Sequence, residues 1–470
     1  MKFGMRFALG LAASVFSFGA VAQKPPMQPR AITIDDSFQL REVEDPQISP
    51  DARWVAYTVR TSNLKEDKTE ERIWIVGMTG SEAVPMTAEE VSSSHPRWSP
   101  DGKYLAFLSA RNEGKTQVWL LNRAGGEAQR LTEMAQNIAD FAWSPDSLRL
   151  VLILRDPSEE EVEAAKERNK DQDKDKKPKT KKPWVIDRLQ FKQDEIGYLD
   201  RRRTHLYVFD LAAKSLVQVT SGDYDDSQPA WSPDGRMLAF ASNRSKPDPD
   251  GTYDTNVWTV AADNTDKGAH LTQVTTNPGE DNAPSWSPDG KSIVYITQLD
   301  PRLFAYATHH VAVSPATGGP AKVLTQSLDR NASEPRFSGD GQSVYFIADD
   351  DGTQNLCHVS SAGGEITRPV GGRIMLFAYS LAKTGEIAAQ IDMPERPSEI
   401  YTLRAPGEKL TRVTRTNDAL LSQLKLVEPE YVHFKSKDGT SVAGYIYRPL
   451  DYTPGKKFPA LLRPDRKSVV

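Results

Sequence analysis

The chain holds a single cysteine, Cys357, in 470 residues. An internal disulfide is excluded, and so is any cysteine-based zinc site. Histidine is scarce as well, with seven in all. The adjacent pair His309-His310 would face opposite sides of a strand, which is poor geometry for one metal. There is no basic excess: 59 Lys+Arg stand against 64 Asp+Glu, a net charge of −5. With no basic stripe, nucleic acid is not an expected partner. A G-x-S-x-G nucleophile elbow is also missing. Gly439-Thr440-Ser441-Val442-Ala443 comes nearest, but it lacks the final glycine and lies in a strand–turn region. No catalytic, cofactor-binding or metal-ligating residue is assigned, and no cofactor is expected.

What the chain has is a repeat. Trp98-Ser99-Pro100-Asp101-Gly102 precedes Tyr104-Leu105-Ala106-Phe107. Copies start at Trp143, Trp231, Trp286 and Phe337, with a weaker one at Ile48-Ser49-Pro50-Asp51 and a worn one at Tyr379-Ser380. Proline presets the first corner of a turn, aspartate caps it, and glycine takes the left-handed position. The aromatic before and the apolar run after read as two strands joined by a tight hairpin. Leu105 and Phe107 on one side, with Ala106 and Leu108 on the other, make the second strand apolar on both faces. Such a strand needs a sheet above and below it.

Successive repeat serines lie 50, 45, 88, 55, 51 and 42 residues apart. A period of roughly 40–50 residues with four short strands each is the mark of a β-propeller. Thr87, Thr132, Thr220 and Thr275 add a second beat, each 11 residues before the next tryptophan. Seven beats suggest seven blades. The spacing of 88 contains residues 157–183, rich in glutamate and then lysine, which cannot bury themselves and read as a solvated insertion. Ser158 and Glu161 there could form a capping box. Asp248, Asp250 and Asp254 could touch calcium, but turn chemistry explains them together with Pro249 and Gly251; Asp349-Asp350-Asp351-Gly352 reads the same way. Cys357 reads as a small core residue.

Residues 1–22 read as a signal peptide: Lys2 and Arg6, an apolar stretch too short for a comfortable span, and Ala20-Val21-Ala22 before the cleavage point. The mature chain is expected to be periplasmic or secreted, without stable membrane insertion. Residues 23–40 read as an arm. After Thr414 the grammar changes. Tyr431 to Thr440 and Val442 to Pro449 read as two strands around Asp438-Gly439, and Phe458-Pro459-Ala460-Leu461-Leu462 suits a buried strand of an α/β sheet.

The Trp-Ser-Pro-Asp-Gly copies, Asp223-Tyr224-Asp225-Asp226, residues 435–444 and Lys456-Lys457-Phe458-Pro459-Ala460-Leu461-Leu462-Arg463-Pro464 together resemble the prolyl oligopeptidase family of serine peptidases. The bacterial dipeptidyl-peptidase and acylaminoacyl-peptidase-like members are the most similar. The resemblance implies a propeller over an α/β-hydrolase domain whose Ser-His-Asp triad cleaves short peptides. The family's His-Gly-Gly-Pro turn would follow Pro464, where this chain reads Asp465-Arg466-Lys467-Ser468-Val469-Val470. Those six residues can be encoded by a sequence that resembles a sequencing adapter, so 465–470 are expected to be non-native.

The expected architecture is all-β: a seven-bladed β-propeller over residues 41–414, then the truncated start of an α/β-hydrolase domain over 415–464. On this reading the chain is an inactive N-terminal part of a peptidase whose triad lies beyond its end. Short peptides would be the substrates of the full-length parent. The alternative is a non-enzymatic periplasmic propeller that binds a partner.

Overall fold

The computed structural model describes residues 29–463 apart from 90, 112–113, 160, 163–182, 184, 195, 246–247 and 406. The signal segment, residues 23–28 of the arm, most of the 157–183 insertion and the 465–470 tail lie outside the described residues.

Among the described residues the chain is nearly all β. Five antiparallel sheets have four strands each, and one larger sheet has eight. The larger sheet is two sets of four, Ala332–Val370 and Met375–Arg412, joined by the single parallel pair Gln354↔Met375. The first strand of each set lies against a neighbouring set, and Met375–Leu381 returns to Glu42–Ile48. First strands therefore gather around a common axis, while the fourth strands, two to four residues long, lie outermost. The arrangement is that of a β-propeller.

The repeat explains each hairpin. Ser99 Oγ donates to Asp101 Oδ1 at 2.7 Å, Lys103 N donates to the same oxygen at 3.1 Å, and Tyr104 N donates to Ser99 Oγ at 2.9 Å. The same three bonds recur at Ser49, Ser144, Ser232, Ser287 and Ser338. The serine hydroxyl, followed by a backbone N–H, holds the Asp234, Asp289 and Asp340 carboxyls below the usual carboxylate range. Gly102, Gly235, Gly290 and Gly341 sit at φ near +70°; where the repeat lacks glycine, Ala52 and Ser147 take the same left-handed conformation at φ +52° and +63°.

The second strand of each hairpin is buried on both faces, as Leu105, Ala106, Phe107 and Leu108 illustrate. The threonine beat caps third strands: Thr87, Thr132, Thr220 and Thr275 accept from Ile73, Val118, Leu206 and Val257 N at 2.9–3.1 Å. Thr325 and Thr414 continue the beat on Val311 and Ile400.

The tryptophans join sheet to sheet. Trp98 Nε1 donates to Gln47 O, Trp143 to Arg97 O and Trp231 to Ala142 O at 3.1 Å each, and Trp286 donates to Ala230 O at 3.0 Å. Each acceptor immediately precedes the equivalent position of the preceding sheet. Phe337, Tyr379 and Ile48 have no indole, so the remaining seams use other means. Tyr379 Oη donates to Glu334 O at 2.7 Å. At the seam that closes the ring, Ile48 N donates to Ser380 Oγ at 3.0 Å and Thr402 Oγ1 to Met78 O at 2.8 Å. Asn417 clasps both backbone groups of Arg41 at 2.9 Å. Arg30 pairs with the backbone of Gln423 and Lys425.

The long spacing is accommodated between the second and third strands of one sheet, Arg149–Arg155 and Thr204–Asp210. Ser158 N donates to Glu161 Oε2 and Glu161 N to Ser158 Oγ, a reciprocal capping pair. After the last sheet, Glu430–Lys435 and Ser441–Ile446 form a separate hairpin. Phe458-Pro459-Ala460-Leu461-Leu462, whose composition suits a buried strand but which lacks the neighbouring strands it would pair with, forms none. Leu461 and Leu462 are almost fully exposed, because no neighbouring strand offers a hydrogen-bonding edge.

Replacing Trp231 by Phe keeps the ring and removes one inter-sheet hydrogen bond, leaving Ala142 O without that donor. A loss of about 1 kcal/mol is expected in denaturant unfolding. An unchanged midpoint would show that the indole bond does not hold the seam.

Candidate functional site

The strands nearest the axis share a feature that sequence reading missed. Asp45-Pro46, His95-Pro96, Gln228-Pro229, Ala283-Pro284 and Glu334-Pro335 each lie just ahead of the repeat, with proline two residues before the aromatic or Ile48. The residue before each proline has φ between 51° and 58°, and the pairing register shifts there. Proline removes a ladder N–H, and each strand bulges there with the preceding residue in the left-handed region, which re-aims one side chain. The recurrent X-Pro two residues ahead of the turn motif was the available signal.

These side chains link neighbouring sheets. Arg97 Nη1 donates to both Asp45 carboxylate oxygens at 2.9 and 2.8 Å. Arg97 Nη2 lies 3.1 Å from His95 Nδ1. A guanidinium only donates, so Nδ1 accepts and the ring proton sits on Nε2. That nitrogen lies 2.8 Å from Asp140 Oδ1, within ion-pair reach though off the line of a good hydrogen bond. Further round, Ala283 N donates to Gln228 Oε1 at 2.8 Å. A charged arc of Asp45, Arg97, His95 and Asp140 thus faces a more neutral stretch at Gln228 and Ala283.

The two faces of the wheel differ. All Ser-Pro-Asp turns join first to second strands and share one face. Connections from second to third strands lie on the other. That second face carries an ionic cluster: Arg188 Nη2 to Asp250 Oδ1 at 2.6 Å, and Arg203 to Asp223, Asp225 and Asp250 at 2.9, 3.0 and 3.2 Å. Arg188, Arg203 and Asp250 side chains are nearly inaccessible. The same connections expose apolar residues, among them Ile186, Leu189, Tyr253, Leu303 and Tyr306. The late hairpin is pinned to this face. Tyr431 Oη donates to Asp351 O at 2.9 Å, Tyr445 Oη to Gly352 O at 3.1 Å, and Arg373 Nη2 to Pro429 O at 2.8 Å.

The residues weighed as metal ligands go to separate partners. Asp248 caps a short 3-10 turn over Pro249–Gly251, Asp250 joins the arginines, and Asp254 accepts from Ser245 and Asn256. Asp349, Asp350 and Asp351 spread over Gln354, Arg368 and Arg330. His310 is buried with Nδ1 on Thr325 O at 3.0 Å, and burial lowers its pKa; His309 lies on the other side, 4.0 Å from Glu280. Among the described residues no group of three or more His, Cys, Asp and Glu gathers to hold a metal. Cys357 is fully buried, its thiol pushed up to about 11 by that burial. Ser441 lies in the late hairpin, paired with Lys435. No helix among the described residues is long and apolar enough to cross a membrane.

One buried acid stands apart. Asp226 and Asp281 open the first strands of successive sheets, and both are fully buried. Asp226 meets Arg244 at 2.6 Å and His205 at 3.3 Å. Asp281 has neither partner. Thr275, Thr297 and Asn277 lie close, but neither carboxyl oxygen has a partner in hydrogen-bond geometry, and burial pushes the group up to about 6.

No family model matches the chain. The peptidase YuxL of Bacillus subtilis is 27% identical over 448 residues, covering 92% of this chain and 66% of that protein. Dipeptidyl-peptidase 5 of Porphyromonas gingivalis is 26% identical over 475 residues, covering 96% of this chain and 66% of its own length. The chain therefore spans about two thirds of these relatives. An acylaminoacyl peptidase in complex with Z-Gly-Gly-Phe-chloromethyl ketone superposes with a TM-score of 0.70 at 20% identity, covering 90% of this chain and 60% of that one. The β-propeller domain of the Trilobed protease from Pyrococcus furiosus gives 0.55 at 17% identity, covering 81% of this chain and 97% of that domain.

Two variants test this geometry. A buried acid with a raised folded pKa binds its proton more tightly folded than unfolded, so its contribution to stability improves as pH falls through 6 toward the usual carboxylate range. Asp281→Asn is expected to stabilise the chain by about 2 kcal/mol at pH 8 and to make no difference near pH 4; equal effects at both pH values would contradict this. Gly352 has φ +75°, and a Cβ there would lie 3.1 Å from the Tyr445 ring. Gly352→Ala should speed amide exchange across residues 430–446 while the wheel keeps its protection. Unchanged exchange in the hairpin would mean that it is not held at this turn.

Proposed function

We propose, from the premise that this chain belongs to the prolyl oligopeptidase family of peptidases, that it is the propeller-bearing part of a secreted or periplasmic serine peptidase acting on short peptides. The wheel has seven blades on this reading: the five four-stranded sheets and the two halves of the eight-stranded one. The hairpin Glu430–Lys435 and Ser441–Ile446 opens the peptidase body. The Ser-His-Asp triad lies outside these 470 residues, so the chain alone has no nucleophile and base to begin acyl transfer.

The observation that carries this reading is the placement of the hairpin. It leaves the last sheet and docks on the face away from the Ser-Pro-Asp turns, through Tyr431, Tyr445 and Arg373. A propeller that only bound a partner would have no need of it. The same face holds the exposed apolar side chains of the second-to-third connections, a surface suited to being covered by a second body. Peptides would then react in the space between, with the charged arc of Asp45, Arg97, His95 and Asp140 lining the way along the axis. A periplasmic or secreted location rests on the signal-like residues 1–22.

Sequencing the gene across the Arg463 codon is the direct test. The reading expects a continuation that encodes His-Gly-Gly-Pro and later a G-x-S-x-G elbow, whereas a verified stop would count against it. Protein made from the continued frame should cleave dipeptidyl or aminoacyl reporters and lose about 10³-fold or more when the elbow serine becomes alanine. The 470-residue chain should cleave none; hydrolysis by the purified chain would refute the placement of the triad.

A further inference from the structure

The ring closes between its first sheet and the Met375–Arg412 set without sharing a strand, and a cleft of about 700 Å³ opens at that seam. Its size suits one small organic ligand. Tyr57, Val59 and Trp74 of the first sheet and Val413 after the last strand form its apolar wall, while Arg41, Arg415 and Glu82 stand among its polar lining. The cleft belongs to the seam and not to the axis or the hairpin face, so its role goes beyond the peptidase reading and does not depend on it.

Two observations mark this cleft as different from an ordinary gap between sheets. The first concerns Trp74. It follows Ile73, which is capped by Thr87, as Trp119 follows Val118 under Thr132 and Trp258 follows Val257 under Thr275. The three tryptophans therefore occupy one third-strand position. Trp119 and Trp258 donate their indole N–H to Ser109 O and Ser242 O, each at 3.2 Å, where the second strand ends. In the first sheet the equivalent pair is Val59↔Arg72, and the ladder runs on to Asn63↔Lys68. No strand end is offered there, and Trp74 Nε1 is buried without an acceptor. An unmatched N–H of this kind costs free energy unless something accepts it.

The second observation concerns charge. Arg412 is fully engaged, with two bonds to Asp418 at 2.8 and 2.7 Å. Arg415 has one longer contact with the same carboxylate, 3.4 Å, and is mostly exposed. Arg41 gives its backbone to Asn417, but its guanidinium meets no partner among the described residues. Two under-used guanidiniums thus stand beside an aromatic wall. A guanidinium fork matches a carboxylate, and aromatic faces take an apolar side chain.

We propose that this seam cleft binds the free carboxyl end of a peptide whose last side chain is apolar. The carboxylate sits on Arg41 and Arg415, the side chain packs against Trp74, and the cleft opens enough for the Trp74 indole N–H, closed off in the free chain, to donate to an oxygen of the peptide. Glu82 suits the peptide's own N–H groups. The step is binding alone, with no covalent chemistry.

The test uses the 470-residue chain with N-acetyl-Leu-Phe as the probe and its carboxamide as control, read by tryptophan fluorescence and by the melting temperature. The free acid should bind saturably and raise the melting temperature, and the amide should bind about tenfold more weakly or worse. Arg41→Gln with Arg415→Gln should weaken the acid by about tenfold and leave the amide unchanged. Both side chains are exposed and neither holds the seam, so the variant should melt as the parent does. Should it not, Trp74→Phe provides the second reading: the wall stays, the N–H goes, and the acid should bind a few-fold more weakly by melting temperature. Equal binding of acid and amide, no saturable binding of the acid up to about 10 mM, or unchanged affinity in the variants would each overturn the proposal.

Discussion

A β-strand that is apolar on both faces must be covered twice. Leu105 and Phe107 point one way, Ala106 and Leu108 the other, and all four are buried. The same holds for Leu150 to Leu154, Leu238 to Ala241 and Ile293 to Ile296. A row of such sheets has an uncovered face at each end unless it bends round and meets itself. Ring closure follows from that constraint. It is met where Val43, Val55, Tyr57 and Val76 of the first sheet pack with Ala388, Ile400 and Val413 from the last.

Because the first and last sets exchange no strand, that final contact is made without a shared ladder. Polar groups do part of the work. Glu399 lies fully buried beneath the seam, accepting from Thr414 Oγ1 at 2.5 Å and Asn417 N at 3.2 Å. Asn417 in turn holds Arg41. Where four seams have an indole bond, this one has a hydroxyl, an amide clasp and a cleft. Ile48 stands there where four of the other seams have tryptophan.

The two faces divide the labour. On one, six copies of the same serine–aspartate turn make a uniform surface. On the other, the connections vary in length, and that variation carries the ionic cluster of Arg188, Arg203 and Asp250, the exposed apolar side chains, and the docked hairpin. Loops on a rigid scaffold are where function is placed. The charged arc nearest the axis belongs to neither face; it comes from bulges that proline forces into the inner strands. A fold assembled from near-identical units thus gains individual character wherever one unit departs from the repeat, as Asp281 does by lacking the arginine and histidine that Asp226 has.

Much of the wheel was legible in the residues. Serine, proline, aspartate and glycine act over five positions, so turn chemistry read from sequence is the chemistry seen, down to Ala52 and Ser147 strained in the glycine position. The threonine beat was readable as periodicity, though its role as a cap on third strands was not. The X-Pro bulges were present in the letters but went unread, because their meaning depends on which strand lies nearest the axis. Phe458 to Leu462 shows the limit of composition: it suits a buried strand, yet a strand exists only where a partner edge is available, and here the segment stays largely exposed. By itself the sequence determined the hairpins, their caps and the need for closure, since these rest on local bonds and on two-faced burial. Only the tertiary structure decided which side chains meet across seams, which buried acid is left alone and where the ring is open, because those depend on residues distant in the chain, from 18 positions for Asp226 and Arg244 to 376 for Arg41 and Asn417, coming within about 3 Å.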